Sequence, residues 1–174
     1  MPLPLVWLGA GLTAIYAANK LSEKAQKYQG EVQHFPGESD VYVEPADGAI
    51  ICCGVYEFFD HSGIFVEDSV IELHGSGLIK SVSYDRFLGD RSGEKAFVAC
   101  DAQYRPLCDP DIVHKAVSRL YEYSEYDLIN NNCHKFVWDC LSPYGERVTT
   151  FADLNRVLSN YFGSAIHWQP VRRF

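Results

Sequence analysis

The chain has 174 residues, 47% of them hydrophobic and 22% charged. That fits one domain of ordinary size with a real core and excludes disorder as its main state. The formal charge of -8 is uneven: residues 1–30 hold three Lys and one acid, leaving 12 basic and 22 acidic residues, net -10, for 31–174, which argues against a nucleic-acid backbone as partner.

The first stretch, Met1 to Asn19, has no charged residue and is rich in apolar and small side chains. It is near the lower length limit for a membrane-spanning helix. No basic residue precedes it, as a secretory signal would need, whereas Lys20, Lys24 and Lys27 follow it. If residues 3–18 anchor the chain in a membrane, the positive-inside tendency keeps the body on the cytoplasmic side. The alternative is an apolar helix that docks on the domain or on a second copy. Residues 20–30 continue as a polar helix ended by Gly30. We therefore divide the chain into a helix over 1–30 and a domain over 31–174.

Turn signals at Gly37-Glu38-Ser39-Asp40 and Pro45-Ala46-Asp47-Gly48 open the domain. Short runs rich in Ile, Val and Phe then predict strands over 49–55, 62–66, 70–74, 78–82 and 96–100. Residues 111–123 have helical apolar periodicity, with Asp109 or Asp111 as cap. Asn131-Asn132 precedes a helix over 133–141, and Thr149-Thr150 caps a last helix over 151–161. Strands first and helices after predict an α+β fold with an antiparallel sheet.

The aromatic content, 14%, suits such a β-containing core. The six Cys include the adjacent pair Cys52-Cys53 and form no C-x-x-C motif, and no His pair has zinc spacing. Most of them read as small buried hydrophobes.

Two local patterns depart from simple core building. If the strands flanking Glu67-Asp68 form a hairpin centred there, paired residue numbers sum to 135. His61 then faces His74 on one side of the ribbon, while Ile64, Val66, Ile71 and Leu73 share the other. Glu67-Asp68 is not a preferred pair for a two-residue turn. Second, Cys133 opens a helix behind the cap Asn132, with Val137 and Cys140 on the same inward face. A thiol in a first helical turn feels the positive end of the macrodipole, which favours the thiolate. Cys140 lies too far along for that and reads as packing. His134 points elsewhere in this pattern and Lys135 toward an outer face. Cys133 with two histidines supplies nucleophile, base and orienting group for thiol catalysis.

In the order and spacing of these motifs the chain resembles the lecithin:retinol acyltransferase family of circularly permuted papain-like thiol enzymes. The similarity covers roughly residues 45–145. It is carried by Pro45-Ala46-Asp47-Gly48, by His61-Ser62-Gly63-Ile64-Phe65-Val66, by Val70-Ile71-Glu72-Leu73-His74, and by Asn132-Cys133-His134-Lys135-Phe136-Val137, which matches a motif of the form N-C-E-H-F-V. The approach to it, Pro106-Leu107-Cys108 and Tyr126-Asp127-Leu128, is also similar. The chain departs from the family at Lys135, where His is common, and in placing its apolar segment at the N-terminus, where some relatives have one at the C-terminus. The resemblance implies a permuted papain-like fold, with Cys133 as nucleophile, His61 as general base and His74 as the third, orienting residue.

The expected chemistry is acyl transfer or hydrolysis through a thioester on Cys133, on an acyl-bearing small molecule or lipid, with no metal or organic cofactor required. Two alternatives keep the same residues: an amidase or isopeptidase acting on peptide or protein, and a non-catalytic membrane adaptor.

Overall fold

The computed structural model describes the backbone of residues 5–55, 59–89, 91 and 94–174, and side chains from Tyr16 onward except Val55. Helix α1 (Leu5–Gln29) ends at Gly30, whose φ of +75° reverses the chain. Strands β1 (Val32–His34), β2 (Ile50–Val55), β3 (Phe59–Val66), β4 (Ser69–Leu73), β5 (Ile79–Val82), β6 (Ala96–Cys100) and β7 (Ile166–Pro170) form one sheet in the order β1-β7-β6-β2-β3-β4-β5. The α+β class holds, but the sheet is mixed, because β1 runs parallel to β7 and every other pairing is antiparallel. The sequence expectation missed β1 and β7. Val-Gln-His and Ile-His-Trp-Gln-Pro have too short or too polar a pattern to stand out; β7 is a strand because it pairs with β6, and β1 because it pairs with β7.

Helices α2 (Tyr84–Leu88), α3 (Pro110–Ser118), α4 (Cys133–Leu141) and α5 (Phe151–Phe162) complete the fold. Side-chain alternation along the strands builds two cores. One joins Ile50, Cys52, Ile64, Ile71 and Trp168 to Phe136, Val137 and Leu154 of the helices. The other joins Ile51, Cys53, Phe65, Val70 and Val98 to Phe87 of α2. The adjacent Cys52 and Cys53 thus enter opposite cores. The C-terminus closes the second: Phe174 packs edge-on against Phe65 and Tyr84, with ring centroids 4.7 and 5.3 Å away.

Helix α3 stops earlier than its periodicity predicts. After Ser118 the chain leaves the helix to pair with the edge of β5: Tyr121 N–H donates to the Ile79 carbonyl (2.9 Å), and Ile79 N–H donates to that of Glu122 (3.0 Å). Covering an edge strand outweighs one more helical turn.

The β3–β4 hairpin has the predicted register, with Ile64 opposite Ile71 and Val66 opposite Ser69. Glu67 and Asp68 both take positive φ, +45° and +59°, the type I′ geometry that suits a two-residue hairpin. Asp47 supports this conformation by accepting the Glu67 N–H at 2.9 Å. Gly48, at φ +84°, lies where a Cβ would come 2.4 Å from the Asp109 carbonyl oxygen, so the turn that opens the domain and the start of α3 are in close contact.

Most of residues 3–18, the candidate anchor, lies outside the described side chains. Among the described residues no helix is long and apolar enough to cross a membrane. The C-terminal part of α1 docks on the domain through Gln26, whose amide donates to the Ala152 carbonyl and to Glu31, each at 2.9 Å.

Candidate active site

Cys133 is the first residue of α4, and the chain before it is held by Asn132. The Asn132 side-chain oxygen caps the helix by accepting the Lys135 N–H at 3.0 Å. Its amide donates to the carbonyls of Leu128 (2.8 Å) and Thr149 (2.7 Å), tying the helix start to the loops on either side. Cys133 is nearly fully buried, as is most of α4.

Burial alone raises a thiol pKa, because it disfavours the anion. That is the direction at Cys52, Cys53, Cys100, Cys108 and Cys140, with Cys53 and Cys100 pushed up to about 12 and Cys140 to about 11. Cys133 goes the other way. Its burial acts upward, but the charges and hydrogen bonds of His134 and His61 outweigh it and hold the thiol well below its ordinary range. All six cysteines are free.

His61 comes from β3, paired across the sheet to Cys53. Its Nε2 lies 2.7 Å from Oε2 of Glu72, which leaves Nδ1 as the nitrogen for the sulfur. Burial opposes protonation of His61, but the Cys133 thiolate and the Glu72 carboxylate outweigh it, so its pKa is raised. Glu72 is about 1% exposed. Arg91 reaches its Oε2 at 2.9 Å, and Lys80, its cross-strand partner on β5, lies 3.7 Å from Oε1. His61, and after it Arg91, overcome the desolvation of the carboxyl and lower its pKa. Arg91 is itself fixed by a hydrogen bond to the Phe87 carbonyl and by stacking over the Phe87 ring, 5.1 Å from the centroid.

The group on Nε2 of His61 is therefore Glu72, not His74 as the sequence suggested. The β3–β4 ladder ends at Ile64–Ile71 and β4 itself at Leu73, so His74 lies beyond the strand. There its Nδ1 accepts the Ser76 N–H at 3.1 Å and lies 2.8 Å from the Ser76 hydroxyl. Burial and the nearby Lys80 lower its pKa. Residues 72 and 74 share the ribbon face of His61, and the inner one makes the contact. A lone carboxylate inside Val70-Ile71-Glu72-Leu73 was the available signal, since a buried charge in an apolar strand needs partners.

Three further groups surround the sulfur. His134 does not point away: it is buried, its Nδ1 lies 2.9 Å from the Ser62 hydroxyl, and it lines the cavity beside Cys133, where it favours the thiolate. Tyr126 donates its hydroxyl to the sulfur at 3.8 Å, and burial, then the thiolate, raises its pKa. Asp60, next to His61, is raised to about 6 by burial against the opposing charge of His134. Lys135, as expected, stays off the site and pairs with Asp139.

These groups open into a cavity of about 1020 Å³. One wall is α1, through Asn19, Ser22 and Gln26; Phe35, Phe59 and Phe151 supply apolar surface. Among the described residues no group of three or more His, Cys, Asp or Glu side chains is placed to hold a metal ion. Compared with protein-family models, with curated proteins and with solved structures, the chain matches none.

Proposed function

We propose that the protein is a cysteine-dependent acyl-transfer enzyme or hydrolase with a permuted papain-like fold of the lecithin:retinol acyltransferase kind. The observation that carries this is that Cys133, His61 and Glu72 line one cavity, with His61 Nε2 2.7 Å from the buried Glu72 carboxylate and the thiolate and imidazolium favouring each other. It is the nucleophile–base–orienting group arrangement of thiol catalysis.

In this mechanism His61 holds the proton of Cys133, and the thiolate attacks an ester or amide carbonyl carbon. The oxyanion forms beside the start of α4, where the Cys133 N–H is a donor aimed out of the helix. His61 then protonates the leaving alcohol or amine, leaving a thioester on Cys133. Water or another acceptor gives its proton back to His61 and takes the acyl group. Glu72 fixes the tautomer of His61 and favours its protonated form. The size of the cavity and its phenylalanines suit a lipid acyl chain as donor.

Incubation with phospholipid vesicles and, separately, with peptide amides tests the reading. Release of fatty acid, with acyl label on Cys133 and none on a Cys133→Ala variant, is expected. Cleavage of peptide alone makes the protein an amidase. No turnover, together with a Cys133 that alkylates no faster than a free thiol, leaves the adaptor alternative.

A further inference from the structure

The sulfur of Cys133 is approached from two sides. His61 reaches it from β3. His134 belongs to α4 itself and is only about 5% exposed. Its ring is held by Ser62 on β3 at 2.9 Å and packs on Phe151 of α5, with centroids 5.7 Å apart. The titratable neighbours of His134 are Cys133 and Asp60. If the Ser62 hydroxyl donates to Nδ1, the ring hydrogen is on Nε2, a tautomer assigned from the hydrogen bonding. A buried histidine that only packs would need no more than its Ser62 bond. This one also lines the cavity beside Cys133.

We propose, building on the thiol acyl-transfer assignment above, that His134 is a second catalytic imidazole: an N–H donor to the Cys133 sulfur that stabilises the thiolate as leaving group when the thioester breaks. In that step the acceptor oxygen or nitrogen attacks the thioester carbonyl carbon and its proton goes to His61. The C–S bond breaks, its electron pair stays on sulfur, and the Nε2–H of His134 hydrogen-bonds the resulting anion. His61 is thus the base while His134 is the donor, so neither ring performs both tasks at once. Ser62 is the positioning residue that keeps Nε2 aimed at the sulfur.

The rate of Cys133 alkylation by iodoacetamide across pH, read on the Cys133 peptide by mass spectrometry, tests this without a known substrate. Gln places an amide N–H near the position of Nε2, whereas Asn places one near Nδ1. H134Q is expected to stay within about threefold of wild type at neutral pH. H134N and H134F are expected to be slower by about tenfold or more, the worth of one hydrogen bond to a charged acceptor, with the acid transition of the thiol moved to higher pH. Should H134F not fold, the Gln–Asn pair decides. Equal rates for H134Q and H134N, or profiles for all three that superimpose on wild type, overturn the role of His134 while leaving Cys133 and His61 in place. A wild-type Cys133 that reacts like an ordinary thiol overturns the acyl-transfer assignment itself.

Discussion

Glu72→Gln is the substitution that most directly separates the observed site from the one expected from sequence. Gln keeps an oxygen that can accept the His61 Nε2–H but removes the charge that favours imidazolium. A hydrogen bond to a charged group is worth about 1.5–3 kcal/mol, part of which the neutral amide forfeits, so the His61 pKa is expected to fall. The pH profile of Cys133 alkylation should show an acid transition, where the thiolate forms, and an alkaline one, where His61 gives up its proton. Cys133 is lowered and His61 raised, so the thiolate–imidazolium window is widened on both sides; E72Q narrows it from the alkaline side. Stability falls too. The variant leaves Arg91, with a side chain only 11% exposed, without its carboxylate, while Lys80, at 32%, is partly solvated. Breaking a buried pair costs about 3 kcal/mol, and Lys80 adds little, so Tm should drop by roughly 6–12 °C. The sign with pH follows from the lowered Glu72 pKa. Its contribution is present above the ordinary Glu range and is lost as pH falls through the folded value, so the two melting curves converge in acid. An unmoved alkaline transition in E72Q, with a shifted one in a His74→Gln variant, would refute the assignment and return the orienting role to His74.

Three other outcomes are expected. Tyr126→Phe removes the hydroxyl donor to the sulfur at 3.8 Å and should slow Cys133 alkylation at neutral pH by severalfold, up to about tenfold, with Tm nearly unchanged; no change in rate would show that the contact carries no energy. Gly48→Ala combines a positive φ with a Cβ 2.4 Å from the Asp109 carbonyl oxygen, and should cost about 2–4 kcal/mol in denaturant unfolding. Thr150→Ala removes the capping box at the start of α5, where Thr150 and Asp153 cap each other's backbone, and should cost about 1 kcal/mol while leaving the alkylation profile of Cys133 in place.

The hairpin register and the start of α4 were legible because each depends on local rules: alternation fixed which residues share a face, and Asn132 before an apolar-periodic run fixed where the helix begins. The same rules reached the histidine problem and stopped one step short. They put residues 61, 72 and 74 on one face but did not say where the β3–β4 ladder ends; it ends at Ile64–Ile71, short of His61, and the strict pairing of His61 with His74 gives way to a diagonal contact with Glu72. Arg91 was beyond them, because it meets Glu72 through a loop whose path only the tertiary fold defines. His134 was misassigned for a different reason. Helical periodicity sorts side chains into inward and outward, but α4 is buried on nearly all sides and only the stripe of Lys135 and Asp139 is not, so a polar side chain at 134 does not imply an outward position. β1 and β7 were missed because their strand character comes from pairing with residues distant in the chain, β7 with β6 and β1 with β7, and not from composition.

The contrast between Cys53 and Cys133 identifies what makes a site here. Both thiols are buried and both have neighbouring charges, yet one is pushed up to about 12 and the other is held down. Desolvation is common to the two, so it cannot be the source of the difference. Cys133 differs in its hydrogen-bonding partners: two imidazoles and a phenol reach its sulfur, and a helix start lies beneath it. The Cys53 sulfur instead faces a carbonyl, the Phe87 oxygen at 3.8 Å, which can accept a thiol proton but does nothing for an anion. A buried anion without donors would simply stay protonated. Donors alone would not suffice either, because His61 must itself be charged in a place that disfavours charge. That is the task of Glu72, and Arg91 in turn helps keep Glu72 ionised. The charges therefore alternate outward from the sulfur (thiolate, imidazolium, carboxylate, guanidinium), each making the next one less costly to bury. An uncharged residue at 72 breaks the alternation at its centre, whereas one at 74 lies outside it.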